Sequence, residues 1–418
     1  MKKILIFLVV TLMALPIFAQ WECRSQLSSN LKPIGNSKLY WASELTLGAG
    51  YLNKNAIFNS MGFLGVDYST KKSTFFAEIG YKFWDRLDIT PNVNYNNGHF
   101  GIRELFYQYK GDKGKLTVGV QSSSFDDNFL LNERMLGVNY KYNNYAWSIN
   151  FNGGTVVKDF SRNGLFCSVG YLYDIIPGRE IALVGNTFGQ TNFAGATLKY
   201  TPSKAKKDKS HSSDEFSSDE FSSDVSGNHK KEGSFQLMDL GLILYSEFGS
   251  WKDSAMFMPG LFLNIGLPAK IIFKPEVLYQ VSKGNNAIIY SLGIEKSIIS
   301  PKHKFTLNAR YLGMSAIDQT AKVMNSFSNI FMGDVIRLDS KDIPMYQIGA
   351  KISFPSIKTH FKFQYSAGIG THQLSETDFE IGKRFGKHIQ VIAIGGLINS
   401  NFYNMNTVLG RIECRISL

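Results

Sequence analysis

The last stretch of the chain, TVLGRIECRISL from Thr407 to Leu418, alternates between two kinds of side chain. One set of alternate positions is small or apolar: Gly410, Ile412, Cys414, Ile416 and Leu418. The other set carries the charge, with Arg411, Glu413 and Arg415. A period of two separates side chains onto opposite faces of a β-strand, whereas a helix would mix them. The stretch therefore predicts a strand, although on its own it leaves open which face meets water.

Similar alternating runs follow one another from Ser37 onward, at intervals of roughly twenty residues. Examples are STFFAEIGYKF (Ser73 to Phe83), IIFKPEVLYQV (Ile271 to Val281) and FKFQYSAGI (Phe361 to Ile369). In each run one face is aromatic or aliphatic, and the other holds polar residues and glycine. The pattern predicts about twenty strands, within a range of about 18 to 22, because strand boundaries inferred from sequence shift by several residues.

Some parts of this count are less regular than the rest. Two of the predicted strands start near residues 163 and 180, and the segment from Trp84 to Tyr95 could hold a further pair. The runs FGIRELFYQYK (Phe100 to Lys110) and IQVIAIGGL (Ile389 to Leu397) have apolar residues on both faces. For these two runs the alternation alone does not decide which face is which.

The composition agrees with strands rather than with a soluble helical protein. Aromatic residues make up 14% of the chain, and charged residues make up 19%, against about a quarter in typical soluble domains. Beyond the first residues we find no apolar window of the roughly 20 residues that a membrane-spanning helix needs. These features exclude a helical membrane protein and predict an all-β chain.

The N-terminus, MKKILIFLVVTLMALPIFAQ, has two lysines followed by an apolar run and a small residue. This pattern is typical of an export signal, so we expect residues 1–20 to be a signal peptide and residues 21–418 to form the folded protein. The three cysteines, Cys23, Cys167 and Cys414, cannot all pair internally and show no metal-site spacing. We expect them to be structural, with no disulfide framework and no bound metal.

The connections between the predicted strands alternate in length. Short breaks such as GDKG (Gly111 to Gly114) and PSI (Pro355 to Ile357) are separated by longer ones, including the stretch from Met314 to Pro344. That long loop has apolar residues at roughly helical spacing and could be partly helical. The segment from Pro202 to Ser234 is a low-complexity polar insert with a tandem DEFSS unit, which we expect to be disordered. The alternative is a carboxylate cluster that collects divalent cations or a partner. Short turns on one rim and long loops on the other are typical of an antiparallel meander that closes on itself.

Strand length and face chemistry together indicate a membrane. The alternating runs are longer than the five or six residues typical of soluble sandwiches and match the roughly 9 to 11 residues of a membrane-crossing strand. Helix-period segments that could cover so large an apolar sheet are almost absent from the sequence. In hydrocarbon, a closed barrel satisfies every backbone group without leaving an edge. We therefore predict a single closed antiparallel transmembrane β-barrel whose charged face lines a watery lumen.

With this pattern the sequence resembles the porin-like outer-membrane β-barrels of Gram-negative bacteria. The hairpins FGIRELFYQYKGDKGKLTVGV and FDDNFLLNER look like those of substrate-channel and alginate-export-type barrels. The resemblance implies location in the outer membrane, contact with its lipid, and recognition of the C-terminal strand by the outer-membrane assembly machinery. Such proteins usually end in an aromatic residue, and Leu418 departs from that pattern.

The residues typical of catalysis do not form a pattern. The seven histidines are scattered, without an HExxH or G-x-S-x-G motif. The loop pair Asp126 and Asp127 is similar to the acidic pair of outer-membrane proteases, but those enzymes are smaller barrels. We expect no enzyme activity, no cofactor and no nucleic-acid partner.

A barrel of this size predicts a pore, because 16 to 18 strands already leave an aqueous channel. The net charge is +11, and basic residues outnumber acidic ones at the positions that alternation places inward. The residues that we expect to line the pore are Lys82, Lys270, Lys274, Arg310, Lys351, Lys362, Gln364, Arg411, Glu413 and Arg415. A positive lumen concentrates anions.

The predicted function is passive or facilitated diffusion of small polar solutes, anionic ones included. The alternative is a non-catalytic barrel for the handling or export of surface polysaccharide or capsule.

Two geometric predictions follow from strand order. If Phe354 pairs with Thr359, then Lys351 and Lys362 face each other on the inward side. Opposed like charges are unfavourable, so we expect a water-filled lumen to screen them. With an even number of strands, both ends of the barrel lie on one rim, and the insert 202–234 lies on that same rim. The solute and the oligomeric state are not predictable from these patterns.

Overall fold

A computed structural model describes the protein over residues 32–34, 38–52, 55–85, 98–125, 130–156, 191–202, 235–249, 255–318, 321, 344–369, 373–386, 388–400 and 405–417. The predicted signal peptide, the insert from 203 to 234, and most of the loop between 314 and 344 lie outside these residues, as do Cys23 and Cys167. The predicted strands near 163 and 180 also lie outside them. In the described part of the chain, no α-helix is long and apolar enough to span a bilayer.

The described residues form one antiparallel sheet of 19 strands. The strands are β1 Lys32–Pro33, β2 Leu39–Leu52, β3 Asn55–Ser69, β4 Ser73–Asp85, β5 Gly98–Lys110, β6 Gly114–Phe125, β7 Leu131–Asn144, β8 Trp147–Val156, β9 Thr191–Tyr200, β10 Gln236–Gly249, β11 Met256–Leu267, β12 Ile271–Gln280, β13 Ala287–Ile299, β14 Lys304–Ala316, β15 Met345–Phe354, β16 Thr359–Gly368, β17 Leu374–Phe385, β18 Ile389–Ser400 and β19 Met405–Ser417.

Strands β2 to β19 close into a barrel. Each strand pairs with the next along the chain, and β19 pairs with β2 from Leu409↔Leu52 to Ser417↔Glu44. The alternating C-terminal stretch is therefore the closing strand. The two-residue strand β1 pairs with the start of β2 and adds nothing to the closure. The described barrel thus has 18 strands, at the lower end of the predicted range, and this confirms the all-β, closed, antiparallel prediction.

The alternation in the sequence separates an outer face from an inner one. On β10 the outward residues Leu240, Leu242 and Leu244 are 41%, 37% and 39% exposed, whereas the inward residues Ile243 and Tyr245 are each 1% exposed. The outer face is a continuous apolar surface around the barrel, and many of its leucine, isoleucine, phenylalanine and tyrosine side chains are exposed. Hydrocarbon can cover such a surface, because the closed hydrogen-bond ladder of the barrel satisfies its backbone groups.

The two rims of the barrel differ. One rim, here the short-turn rim, carries tight connections such as the 3₁₀ turns Pro268–Lys270 and Pro355–Ile357. Both ends of the barrel, Leu39 and Ser417, also lie there. The opposite rim, here the long-loop rim, carries most of the longer connections, including that between β14 and β15. The insert between β9 and β10 starts and ends on the short-turn rim, as its strand parity predicted.

The two runs with apolar residues on both faces have different explanations. In FGIRELFYQYK, the pairing of β4 with β5 shifts: Glu78 pairs with Glu104, and Ile79 pairs with Ile102. Arg103 is therefore an extra residue in a β-bulge, and the alternation reverses at that point. In IQVIAIGGL, by contrast, Ile392 and Ile394 are buried on the inner face, so the lumen wall itself is apolar there.

Candidate functional site

The inner wall formed by β12, β13 and β14 holds two of the predicted basic residues in ion pairs. On β12, Lys274 Nζ lies 2.8 Å from Glu295 Oε2 of β13. On β14, Arg310 donates from Nε to Ser291 Oγ at 2.6 Å, and its Nη2 lies 3.4 Å from Glu276 Oε2. These side chains are partly exposed, so the pairs line accessible space.

The register of the β15–β16 hairpin is as predicted. Phe354 pairs with Thr359, and Lys351 opposes Lys362. Strand β17 then places Glu380 beside Lys362, and both lysines interact electrostatically with that carboxylate. Like charges directly opposed in a sheet are unfavourable, and Glu380 offsets this repulsion. The expectation that a water-filled lumen screens the two lysines did not include this carboxylate.

His360 completes this lysine patch. Its Nε2 lies 2.5 Å from Glu380 Oε1, and its ring lies over Gly382, where a Cβ would come within 2.1 Å of it. Glycine on β17 thus makes room for the imidazole beside the carboxylate. We define the lysine patch as Lys351, His360, Lys362 and Glu380.

The closing strand β19 presents its charges inward, as the alternation predicted. Arg411 and Glu413 are both 0% exposed, and their side chains are 3.4 Å apart. Arg415 forms a second ion pair with Glu413. Two of these three residues are fully enclosed, so they form a packed ionic layer of the wall, whereas Arg415 is partly exposed.

The remaining predicted pore residues lie in different settings. Gln364 is on the inward side of β16, between Gly349 and Asp378 in the register. Lys82 lies in β4, paired at its Cα with Met61 and His99, and its side chain is outside the described part. Lys270 was expected on a strand, but it lies in the exposed turn before β12 with a φ of 61°, so it belongs to the rim rather than to the wall.

Much of the acidic charge on the inner face was not predicted from the sequence. The described wall also carries inward Asp67, Asp239, Glu247, Glu376, Asp378 and Glu380. Three of these follow one another at alternate positions in SETDFEIG, a signal that was available from the sequence. Among the described side chains that are buried, seven acidic ones stand against three arginines. The described lumen therefore carries mixed charge, and acidic side chains are the majority among those that are buried.

The most unexpected feature of the lumen is the far end of the β6–β7 hairpin. We define the inner hairpin as residues 121–125 of β6 and 131–135 of β7. The Phe125 ring lies 5.6 Å, centroid to centroid, from the ring of Tyr245 on the inner face of β10. It also covers Gly195 of β9, where a Cβ would lie 2.9 Å from the ring. Phe125, Leu131 and Met135 are at most 3% exposed.

These contacts require the inner hairpin to leave the wall. The register row through Gly195 passes through Asn152, Asn139 and Thr117. Phe125 lies eight residues beyond Thr117 on β6, or about 26 Å along an extended strand. It is also three strands from β9, or about 14 Å. A phenylalanine side chain cannot span that separation, so the hairpin folds back into the lumen and narrows it.

A row of glycines lies at the base of the inner hairpin. Gly119 of β6 pairs with Gly137 of β7, which pairs with Gly154 of β8. A Cβ at Gly137 would lie 2.2 Å from the carbonyl oxygen of Gly153, and one at Gly119, where φ is 129°, would lie 2.2 Å from that of Leu105. The strands therefore approach too closely for any other residue, and the sheet bends there.

Polar contacts link the same base to β5. The backbone pairing of β5 with β6 ends at Leu105↔Val120. Beyond it, Arg134 donates from Nε to the carbonyl of Arg103 at 3.1 Å, and Ser122 donates to Glu104 at 2.8 Å. Side-chain contacts thus take over where the backbone ladder stops.

Comparison with solved structures finds porin-like outer-membrane barrels. OpdK of Pseudomonas aeruginosa, in a structure with vanillate, aligns with a TM-score of 0.54 and 10% identity over 90% of this chain and 98% of that chain. OccAB4 of Acinetobacter baumannii aligns at 0.53 and 11% identity over 93% and 100%. OccK3 (OpdO) of P. aeruginosa aligns at 0.52 and 11% identity over 94% and 99%. The chain has the fold of these barrels.

No protein-family model matches the sequence, and no curated protein is significantly similar to it.

Proposed function

We propose that this protein is an outer-membrane channel through which small polar solutes, anions included, cross by passive or facilitated diffusion. The observation that carries the proposal is a closed barrel of 18 described strands whose inner face is charged and whose lumen is narrowed by the inner hairpin. A barrel of this strand number is wide enough for an aqueous passage. The shared fold with OpdK, OccK3 and OccAB4 supports a channel over a barrel that handles polysaccharide.

The lysine patch and the pairs Lys274–Glu295 and Arg310–Glu276 give this function its chemistry. Each cation lies beside a carboxylate, so a passing anion meets positive charge without a site that binds it permanently. We assign no catalytic role to the barrel. The acidic pair Asp126 and Asp127 lies outside the described residues.

Liposome swelling tests the proposal directly. Purified protein is reconstituted into vesicles and exposed to isosmotic neutral sugars, amino acids and small carboxylates such as vanillate. We expect swelling with the smallest polar solutes and a decline as solute size increases. Vesicles that swell no faster than protein-free ones with every solute would contradict a channel.

The proposed location has its own consequences. We propose that the short-turn rim faces the periplasm, as in bacterial barrels whose longer loops are extracellular. The assembly machinery would then recognise β19, the strand that closes the barrel.

A further inference from the structure

The contacts at the base of the inner hairpin form a continuous chain from the wall to the lumen. Arg103, the extra residue of the β5 bulge, lies 3.2 Å from Glu78 of β4, and its guanidinium lies 3.9 Å from the centre of the Phe63 ring on β3. The bulge is thereby tied to two neighbouring strands of the wall. A cation over an aromatic face adds to this attachment because both groups are desolvated.

The inner hairpin is attached to that bulge from the other side. Arg134 of β7 holds the backbone carbonyl of Arg103 at 3.1 Å and lies 3.9 Å from the Glu104 carboxylate. Arg134 is 1% exposed along its side chain, and Glu104 is 13% exposed. Ser122, the register partner of Arg134, donates to the same carboxylate.

The position of these contacts makes them more than general stabilisation. They lie at the point where β6 stops pairing with β5 and just beyond the glycine row. A sheet segment without its ladder needs other contacts to hold one direction. The bulge bends β5 at this point, as bulges do beside functional sites, and the polar contacts attach the inner hairpin of β6 and β7 to it.

We propose that Glu104 and Arg134 are positioning residues that hold the inner hairpin across the lumen and so set the width of the passage. The inference deepens the proposed channel function and rests on it. Removing one partner leaves the other charge enclosed without it, so the base loosens and the hairpin moves toward the wall or fluctuates.

Single-channel recording in planar bilayers tests the width. The variants are E104Q, R134Q and R134K, and the control is K72Q, an exposed lysine in the turn between β3 and β4. We expect E104Q and R134Q to raise the mean conductance on the order of twofold. The loosened hairpin then obstructs less of the lumen, whose residues tune permeation. R134K keeps the charge and should lie closer to the wild type, and K72Q should match it.

A labelling experiment measures the hairpin position without relying on current. Leu130 is 0% exposed, and L130C is introduced into a background in which the native cysteines are replaced by serine. A membrane-impermeant maleimide should label L130C slowly, and on the order of tenfold faster when E104Q is also present, because the base opens locally. A gel shift between unheated and boiled samples confirms that each variant forms a closed barrel.

The outcomes separate the inference from the function on which it rests. If the wild type passes no current, the channel proposal fails and labelling alone judges the role of Glu104. If the wild type conducts, the positioning role is wrong when folded E104Q has the conductance of the wild type and L130C is labelled no faster with E104Q than without it. Should R134Q not fold, E104Q decides, because it is nearly isosteric and leaves the contact from Arg134 to the Arg103 carbonyl in place.

Discussion

At the scale of single residues, the lysine patch shows how neighbouring strands determine what a charge does. Alternation correctly predicted that Lys351 and Lys362 face each other. It did not predict Glu380, because that contact depends on the register of β17 against β16. The patch is an ion-paired surface rather than two unscreened cations, and its electrostatic effect on a passing solute is correspondingly local.

Replacing both lysines with glutamate should reverse that local effect. In K351E/K362E, three carboxylates would lie together on the inner face, and we expect the zero-current potential in a salt gradient to shift toward cation preference. Assembly should be largely kept, because lumen substitutions alter selectivity more than stability. The control is K283E, an exposed lysine in the turn between β12 and β13. An unchanged potential in the double variant would remove the lysine patch from the permeation path.

Gly137 is a second residue whose identity the structure explains. Any side chain there would overlap the backbone of β8, so G137A should destabilise the barrel by about 1–3 kcal/mol, as overpacking typically does. Gly62 is the matched control, because a Cβ there meets nothing closer than 3.9 Å. The measurement is the urea concentration at which the unheated gel band shifts to the unfolded position. Equal midpoints for G137A and G62A would argue against a tight bend at the glycine row.

At the scale of secondary-structure elements, the strands were predictable and the inner hairpin was not. Strand existence follows from a period of two that the sequence displays directly. The fold-back depends on Phe125 resting on Gly195 and beside Tyr245, three and four strands away. Such contacts leave no periodic trace, and the three glycines form a row only once the register of β6, β7 and β8 is known.

Removing the apolar anchor of the inner hairpin should widen the channel. In F125A/L131A two enclosed side chains are truncated, and the loss of the Phe125 ring removes the contacts with Gly195 and Tyr245 on the β9–β10 wall. We expect a higher single-channel conductance and swelling with larger sugars than the wild type admits. L136A is the control, since Leu136 directly follows the inner hairpin on β7 but points outward and is 52% exposed. Conductance that stays at the wild-type value in F125A/L131A would show that the hairpin does not limit flow.

At the scale of the whole molecule, closure was predicted for the right reason. A large sheet with one apolar face and no helical cover needs hydrocarbon on that face and no free edge. The pairing of β19 with β2 removes the edge. The charge of the lumen was less predictable, because an interior acidic residue such as Glu247 is recognised only when the inward parity of its strand is known.

The orientation of the barrel in the membrane gives a further whole-molecule prediction. The insert that follows Pro202 starts and ends on the rim that carries both ends of the barrel, which we propose to be periplasmic. An epitope tag placed near Phe221 should therefore be inaccessible to antibody on intact cells and accessible after the outer membrane is permeabilised. Labelling of intact cells would place the short-turn rim outside and reverse the orientation.

The central claim is that this barrel encloses a water-filled passage, and single-channel recording of the purified wild type tests it most directly. Protein that shows the gel shift of a closed barrel is added to a planar bilayer in symmetric salt, and the current is recorded under an applied voltage. We predict discrete upward current steps of uniform size, because each inserted barrel contributes one passage narrowed by the same inner hairpin. Folded protein that inserts without any current step would contradict the account.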